Sequence, residues 1–174
     1  KSNFNSGDWE IFLYDGTSTT QLTNNDYIDW YPQINNNGYV VWQGCDGTEC
    51  SFEYGDYEIF LYDGTSTTQL TNDDYYDGYP QINNNGIVAW VGNGLFLYDG
   101  ITITQLTGEY SYGGDDLQIN DDGYLVWFAD HAAEEGGVYM YNGAEIIRVI
   151  KNRGYENRDP DMNDMGHVVW IREP

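Results

Sequence analysis

A fifteen-residue phrase occurs twice in this chain without a single change. The segment EIFLYDGTSTTQLTN occupies residues 10–24 and returns letter for letter at residues 58–72. Identical neighbouring units need identical packing, and self-similarity of this kind indicates a repeat architecture. The chain is therefore predicted to consist of repeated structural units.

Shorter landmarks extend the repeat over nearly the whole chain. A β-branched phrase ending in tryptophan recurs at intervals of 48, 37 and 43 residues. Its last residues are Trp42, Trp90, Trp127 and Trp170. The phrase LYDG, written MYNG in its last copy, keeps nearly the same intervals. The sequence thus contains four copies of a unit of about 43 residues.

Each unit has the pattern of four short strands. PQIN or a variant forms the first strand, and an Asn-Gly or Asp-Gly turn follows, because these residues tolerate positive φ. The tryptophan phrase is the second strand. LYDG ends the third strand, whose side chains alternate between two faces, and a Thr-rich fourth strand ends in QLT. No segment has helical periodicity.

The phase of the repeats predicts how the units are completed. Full units span residues 31–71, 79–107 and 116–150, whereas residues 10–23 hold only third and fourth strands and residues 160–171 only first and second strands. Pairing the two half-units completes a fourth unit and removes free sheet edges. The alternative is an open array, or a piece of a longer propeller, whose half-units pair between chains.

Four-stranded units of about 40 residues are typical of propeller blades. The order of an Ile-Phe strand, a DG turn, QLT, an acidic stretch, a proline and a turn before an apolar strand resembles the WD40-like β-propeller repeat of the TolB type. The chain has NNNG and NDDG where that family usually has a Ser-Pro-Asp-Gly turn. The resemblance implies an all-β β-propeller, and the four copies with their phase predict four four-stranded antiparallel blades in a single domain over residues 1–174, with the closing blade shared by the N- and C-terminal strands.

The charge of the chain excludes some partners. Six basic residues face 29 acidic ones, which gives a net charge of −23. Such a surface repels nucleic acid and anionic lipid. No apolar run is long enough to insert into a membrane.

Acidic connectors between units suggest Ca²⁺ as a cofactor, because Ca²⁺ prefers carboxylate and carbonyl oxygens. The candidate ligands are Asp26, Asp29, Asp74, Asp77, Asp115 and Asp116. Their spacing matches no EF-hand loop. The alternative is that these residues cap turns.

The two cysteines, Cys45 and Cys50, are separated by four residues. This spacing suits a disulfide across the end of a hairpin and predicts an extracellular or cell-surface location. A zinc site would need more ligands.

Aromatic residues outside the strands are candidates for ligand contact. The first group is assigned to a loop class that is enlarged by insertions and consists of Trp9, Phe52 and Tyr54. The second group precedes each first strand at a constant interval and consists of Tyr27, Tyr75, Tyr112 and Tyr155. Packing at the corners of the units is the alternative for the second group.

Motifs for catalysis are absent from the sequence: it has no GxSxG and no phosphate-binding glycine loop. Repeated carboxylates have similar surroundings, whereas a catalytic pair needs different ones. We therefore expect a monomeric, non-catalytic module that presents loops to a protein or a glycan. The alternatives are a polysaccharide lyase or hydrolase that uses loop carboxylates, and a purely structural surface module.

Overall fold

The structure is a computed structural model that describes residues 9–45, 55–108, 116–129, 136–151 and 156–173. All regular elements in these ranges are β-strands. Within the same ranges, no helix has the length and apolar character needed to cross a membrane.

The strands form hairpin-connected antiparallel sheets. A two-stranded sheet contains β1 (Phe12–Tyr14) and β2 (Thr19–Gln21). The first four-stranded sheet contains β3 (Asp29–Ile34), β4 (Val40–Cys45), β5 (Tyr57–Tyr62) and β6 (Thr67–Gln69). The second contains β7 (Gly78–Ile82), β8 (Val88–Gly92), β9 (Gly94–Tyr98) and β10 (Ile103–Gln105). The third contains β11 (Gln118–Ile119), β12 (Leu125–Ala129), β13 (Gly137–Tyr141) and β14 (Ile146–Lys151). The last two strands, β15 (Glu156–Met162) and β16 (Val168–Glu173), form another two-stranded sheet.

The chain divides into two compact units, residues 1–80 and 81–174, with the boundary inside β7. The first unit contains β1 to β6, and the second contains β8 to β16. The three four-stranded sheets occupy nearly the same residues as the three full repeats of the sequence. The expectation of a single domain stays a prediction.

The second strand of each four-stranded sheet provides the core. Trp42 in β4, Trp90 in β8 and Trp127 in β12 are at most 2% exposed. Each indole stacks on an aromatic ring of the neighbouring third strand, with centroids 5.7–5.9 Å apart and interplanar angles of 10–18°. Such a pair contributes about 0.5–1.5 kcal/mol beyond its burial. The repeated tryptophan therefore fixes the register of the second strand against the third.

The turn between the first and second strands explains the NNNG motif. The Asn35 side-chain oxygen accepts hydrogen bonds from the backbone N–H groups of Asn37 (2.9 Å) and Tyr39 (3.0 Å). Gly38 has a φ of 79°, which favours glycine. Asn83 and Asn163 accept equivalent hydrogen bonds in later repeats.

The fourth blade predicted from the two half-units is not confirmed. β1–β2 and β15–β16 are separate two-stranded sheets, so the described residues contain three complete four-stranded sheets rather than four. The β1–β2 ladder has only three residue pairs. Phe12 is 59% exposed and Ile171 is 52% exposed, which is what strands without a full complement of neighbours show.

The DG turns predict a stability loss at low pH. Hydrogen bonds from the Thr65 and Ser66 side chains and backbone, 2.7–3.4 Å long, lower the pKa of Asp63 from 3.8 to about 2. The same arrangement lowers the pKa of Asp15. Because the folded pKa lies below the unfolded one, this stabilisation is present above pH 3.8 and is lost as pH falls through about 2.

We therefore expect the Asp15→Asn/Asp63→Asn double variant to lose less stability than the wild type between pH 5 and pH 2. Asn142 shows that Asn fits this turn, since its side chain accepts from the N–H groups of Ala144 and Glu145. Thermal unfolding across this pH range checks the expectation, with the exposed Asp26→Asn as control. Equal pH slopes for the double variant and the wild type would contradict it.

Candidate functional site

Six aromatic side chains of the first unit form a connected group that we call the aromatic cluster. Its members are Trp9, Trp30, Tyr31, Tyr57, Tyr76 and Tyr79. Neighbouring ring centroids lie 4.7–6.2 Å apart, and the rings are tilted or edge-on rather than parallel. These geometries are the preferred ones for aromatic pairs.

Two backbone hydrogen bonds at equivalent places in successive repeats position the cluster. The Asp29 N–H donates to the carbonyl of Trp9 at 2.8 Å, which brings Trp9 beside the start of β3. The Asp77 N–H donates to the carbonyl of Tyr57 at 2.8 Å, the same bond one repeat later. The repeat therefore brings Trp9 close to Trp30 and Tyr57 close to Tyr76.

The cluster has a buried base and an accessible rim. Tyr57 is 1% exposed, whereas Trp9 is 49%, Tyr31 43% and Tyr76 36% exposed. Burial raises the pKa values of the Tyr57 and Tyr76 hydroxyls. Both phenols therefore stay protonated and can donate hydrogen bonds at neutral pH.

Gln43 in β4 ties the cluster to the core of the first sheet. It is fully buried. Its side-chain amide donates to the Tyr76 hydroxyl at 3.2 Å and its oxygen accepts from the Tyr79 N–H at 2.8 Å. A buried amide with both ends bonded holds the two tyrosines in fixed positions.

Two tyrosines of the cluster have unusual backbone conformations. Tyr31 and Tyr79 have φ values of 52° and 54°, and both precede a proline. In β3 the register shifts between Trp30 and Gln33, so the strand bends at Tyr31. A bulky residue at positive φ is strained, and such strain concentrates at functional sites.

An open cleft of about 760 Å³ lies next to the cluster. Residues 9–12 and residues 29–33 line the cleft. One oxygen of Glu10 accepts from the Asn25 N–H at 2.9 Å, while the second is buried without a hydrogen-bond partner. The lining of the cleft thus includes aromatic side chains, while the unsatisfied Glu10 oxygen is buried rather than open to the cleft.

Asp29, a candidate calcium ligand, acts as a buried hydrogen-bond acceptor. Its carboxylate accepts from the indole N–H of Trp42 and from the side-chain amide of Asn25, both at 2.9 Å. Burial raises its pKa despite these bonds. Asn157 holds the same position in the last repeat and accepts from the indole N–H of Trp170 at 3.1 Å. The carboxylate therefore orients the core tryptophan.

The other calcium candidates have varied surroundings. Asp77 is 2% exposed, whereas Asp26 and Asp74 are exposed. Asp116 accepts a hydrogen bond from the Asp159 N–H at 3.3 Å, and Asp115 lies outside the described residues. Across the described ranges, no three acidic, histidine or cysteine side chains are grouped as metal ligands. Calcium binding stays a prediction.

The candidate ligand residues separate into three groups. Trp9 belongs to the aromatic cluster. Tyr27 is half-buried and Tyr75 is 57% exposed, and neither is one of the six rings of the cluster. Phe52, Tyr54, Tyr112 and Tyr155 lie outside the described residues.

Sequence reasoning missed the other five members of the cluster. The motifs WYP at residues 30–32 and GYP at residues 78–80 were available signals, because each places an aromatic residue directly before the proline of a first strand.

Among the described residues no cysteine is free, and Cys45 is buried at the end of β4. Cys50 lies outside the described residues, so its pairing with Cys45 stays a prediction.

Comparison with solved structures identifies the fold as a β-propeller. The chain is similar to the β-propeller domain of the Trilobed protease from Pyrococcus furiosus, with a TM-score of 0.58 and 15% sequence identity over 82% of this chain. The match covers 43% of that chain, so this chain spans less than half of its length, and that domain is described as having an open velcro topology. No protein-family model and no curated protein matches the chain.

Replacing Asp29 tests its structural role. Asp29→Ala leaves the indole N–H of Trp42 without its acceptor, and we expect it to lower the free energy of unfolding by about 1–3 kcal/mol. Asp29→Asn keeps an acceptor, as Asn157 does, and we expect near wild-type stability at pH 7. Urea unfolding monitored by tryptophan fluorescence checks both. Equal loss in the two variants would contradict the role.

Proposed function

We propose that this protein is a non-catalytic, extracellular or cell-surface binding module that presents a propeller surface to a protein or a glycan. The observation that carries the proposal is the aromatic cluster, in which three rings are at least 36% exposed while the base is buried. Exposed aromatic rings on a rigid base supply contact area at a low entropic cost.

The charge of the protein supports a neutral or cationic ligand. With a net charge of −23, an anionic ligand would approach against long-range repulsion. The proposal includes Ca²⁺ bound by the exposed carboxylates of the connectors. It also includes a disulfide between Cys45 and Cys50 that cross-links the chain between these two residues.

Glycan-array binding of the wild type, repeated with Ca²⁺ and with EDTA, tests the function. We expect Trp9→Ala to weaken binding by about tenfold, because it removes an exposed ring of the cluster. Tyr14→Ala is the matched control, since Tyr14 is 65% exposed in β1 and is not a member of the cluster. Equal loss in both variants would contradict binding at the cluster.

The alternative function is a polysaccharide-active enzyme, and the connector carboxylates are the observation that favours it. Release of shorter products from a polysaccharide by the wild type, lost in the Asp26→Asn and Asp77→Asn variants, would establish this alternative. Capture of a glycan without turnover supports the binding module.

We also propose the finer architecture that the repeat phase predicts: a propeller of the TolB type with four blades, one of them formed by β15–β16 together with β1–β2. In the first sheet Trp42 pairs with Phe60 and Gly44 pairs with Glu58. The same register would place Trp170 opposite Phe12 and Arg172 opposite Glu10. This pairing would cover the exposed Phe12 ring and give the unsatisfied Glu10 oxygen a cationic partner.

A charge exchange tests the composite blade. We expect Glu10→Arg and Arg172→Glu each to lower the melting temperature, because each variant places like charges opposite one another, and the double exchange to restore most of the loss. Additive losses in the double variant would contradict the pairing. Native mass spectrometry decides whether the pairing lies within one chain or joins two copies.

A further inference from the structure

We propose that Tyr31 and Tyr79 form a stacking site for the sugar rings of a neutral glycan. The inference rests on the proposed binding function and names both its ligand class and its central residues. Neither tyrosine was a candidate from the sequence.

The first argument is that the fold does not require tyrosine at these positions. Equivalent positions in the later repeats hold Asp116 and Asp159. Asp159 also precedes a proline and has a φ of 50°, close to the 52° and 54° of Tyr31 and Tyr79. Asp and Asn are enriched at positive φ, whereas a bulky residue there is an outlier. The two tyrosines therefore carry a conformational cost that a short polar residue would avoid.

The second argument is the geometry of the two rings. Their centroids lie 5.0 Å apart and their planes are inclined by 56°, so the pair presents two adjoining surfaces rather than one flat stack. Tyr31 is 43% exposed and Tyr79 is half-buried. The face of an aromatic ring is electron-rich and attracts the polarised C–H groups on the flat side of a sugar.

The third argument is the polar chemistry around the rings. The Tyr76 ring lies 6.2 Å from the Tyr79 ring, and the buried Gln43 amide binds both residues. Phenol hydroxyls at the edge of a stacking surface can donate to and accept from sugar hydroxyls. Stable protein interfaces bury about 1,000 Å² or more of surface in total, whereas a few rings edged with hydroxyls suit a smaller, polar ligand.

The fourth argument is charge. The net charge of −23 opposes anionic polysaccharides. A neutral glycan pays no such penalty, and its hydroxyl groups can satisfy acceptors on an acidic surface. A neutral glycan is therefore the ligand class that fits both the rings and the charge.

Tyr→Asn substitutions test the inference, because they should weaken binding while the melting temperature stays close to that of the wild type. We expect Tyr31→Asn and Tyr79→Asn each to weaken binding of a neutral oligosaccharide by about fivefold or more. Their melting temperatures should stay close to that of the wild type, because Asn relieves the strain of positive φ but removes ring contacts with Trp30 and Tyr76. Tyr31→Phe keeps the ring and loses only the hydroxyl, so it should retain more of the binding than Tyr31→Asn. The backbone N–H of Tyr79 that donates to Gln43 is retained in the Asn variant.

The probes are cellohexaose, xylohexaose and chitohexaose, with polygalacturonate as the anionic control, measured by isothermal titration calorimetry. Binding of at least one neutral probe that both Asn variants weaken, with Tyr14→Ala unchanged, supports the site. Unchanged binding in the Asn variants, a loss of binding in Tyr31→Phe equal to that in Tyr31→Asn, or preference for polygalacturonate would overturn it.

The same measurements separate the inference from the proposed function. Glycan binding that Trp9→Ala removes but the Asn variants leave intact would keep the binding function and reject the tyrosine pair. No binding of any neutral probe rejects the neutral-glycan inference. In that case the proposed binding function is tested with a purified protein partner. Trp9→Ala should lower the affinity for that partner.

Discussion

The stacking of a second-strand tryptophan on a third-strand aromatic ring is the interaction on which the repeated sheets depend. It recurs with nearly constant geometry in the three four-stranded sheets, and each indole is almost fully buried. Because a one-residue slip would turn the indole to the opposite face, the stack fixes strand register. The connectors then begin and end at equivalent places in each repeat, and the aromatic cluster is a consequence of that placement.

A second constraint is the acceptor for the indole N–H. Asp29 supplies it in the first sheet and Asn157 in the last hairpin. A buried indole without this acceptor would cost about 1–3 kcal/mol, which explains why both positions hold a side chain with an oxygen acceptor. Asp29 and Asn157 accept hydrogen bonds from the repeated tryptophans. Tyr31 and Tyr79 differ from them, because the same positions in later repeats hold aspartate.

The sequence predicted the strands and the turns between them, because short-range pattern determines both. Asn35 and Gly38 illustrate this, since a side-chain acceptor and a positive φ are both local properties. The aromatic cluster was missed because its members come from different repeats and meet only after folding. The role of Asp29 was missed for a similar reason: acidic composition suggests a metal ligand, and only the contact with Trp42 shows an indole acceptor.

Amide hydrogen exchange tests most directly the claim that the buried second strand organises each sheet. The account predicts the slowest exchange in β4, β8 and β12, which lie between two strands and carry the buried tryptophans. It predicts fast exchange in the exposed outer strands β2, β6 and β10. Protection in the outer strands equal to or greater than that of the second strands would contradict the account.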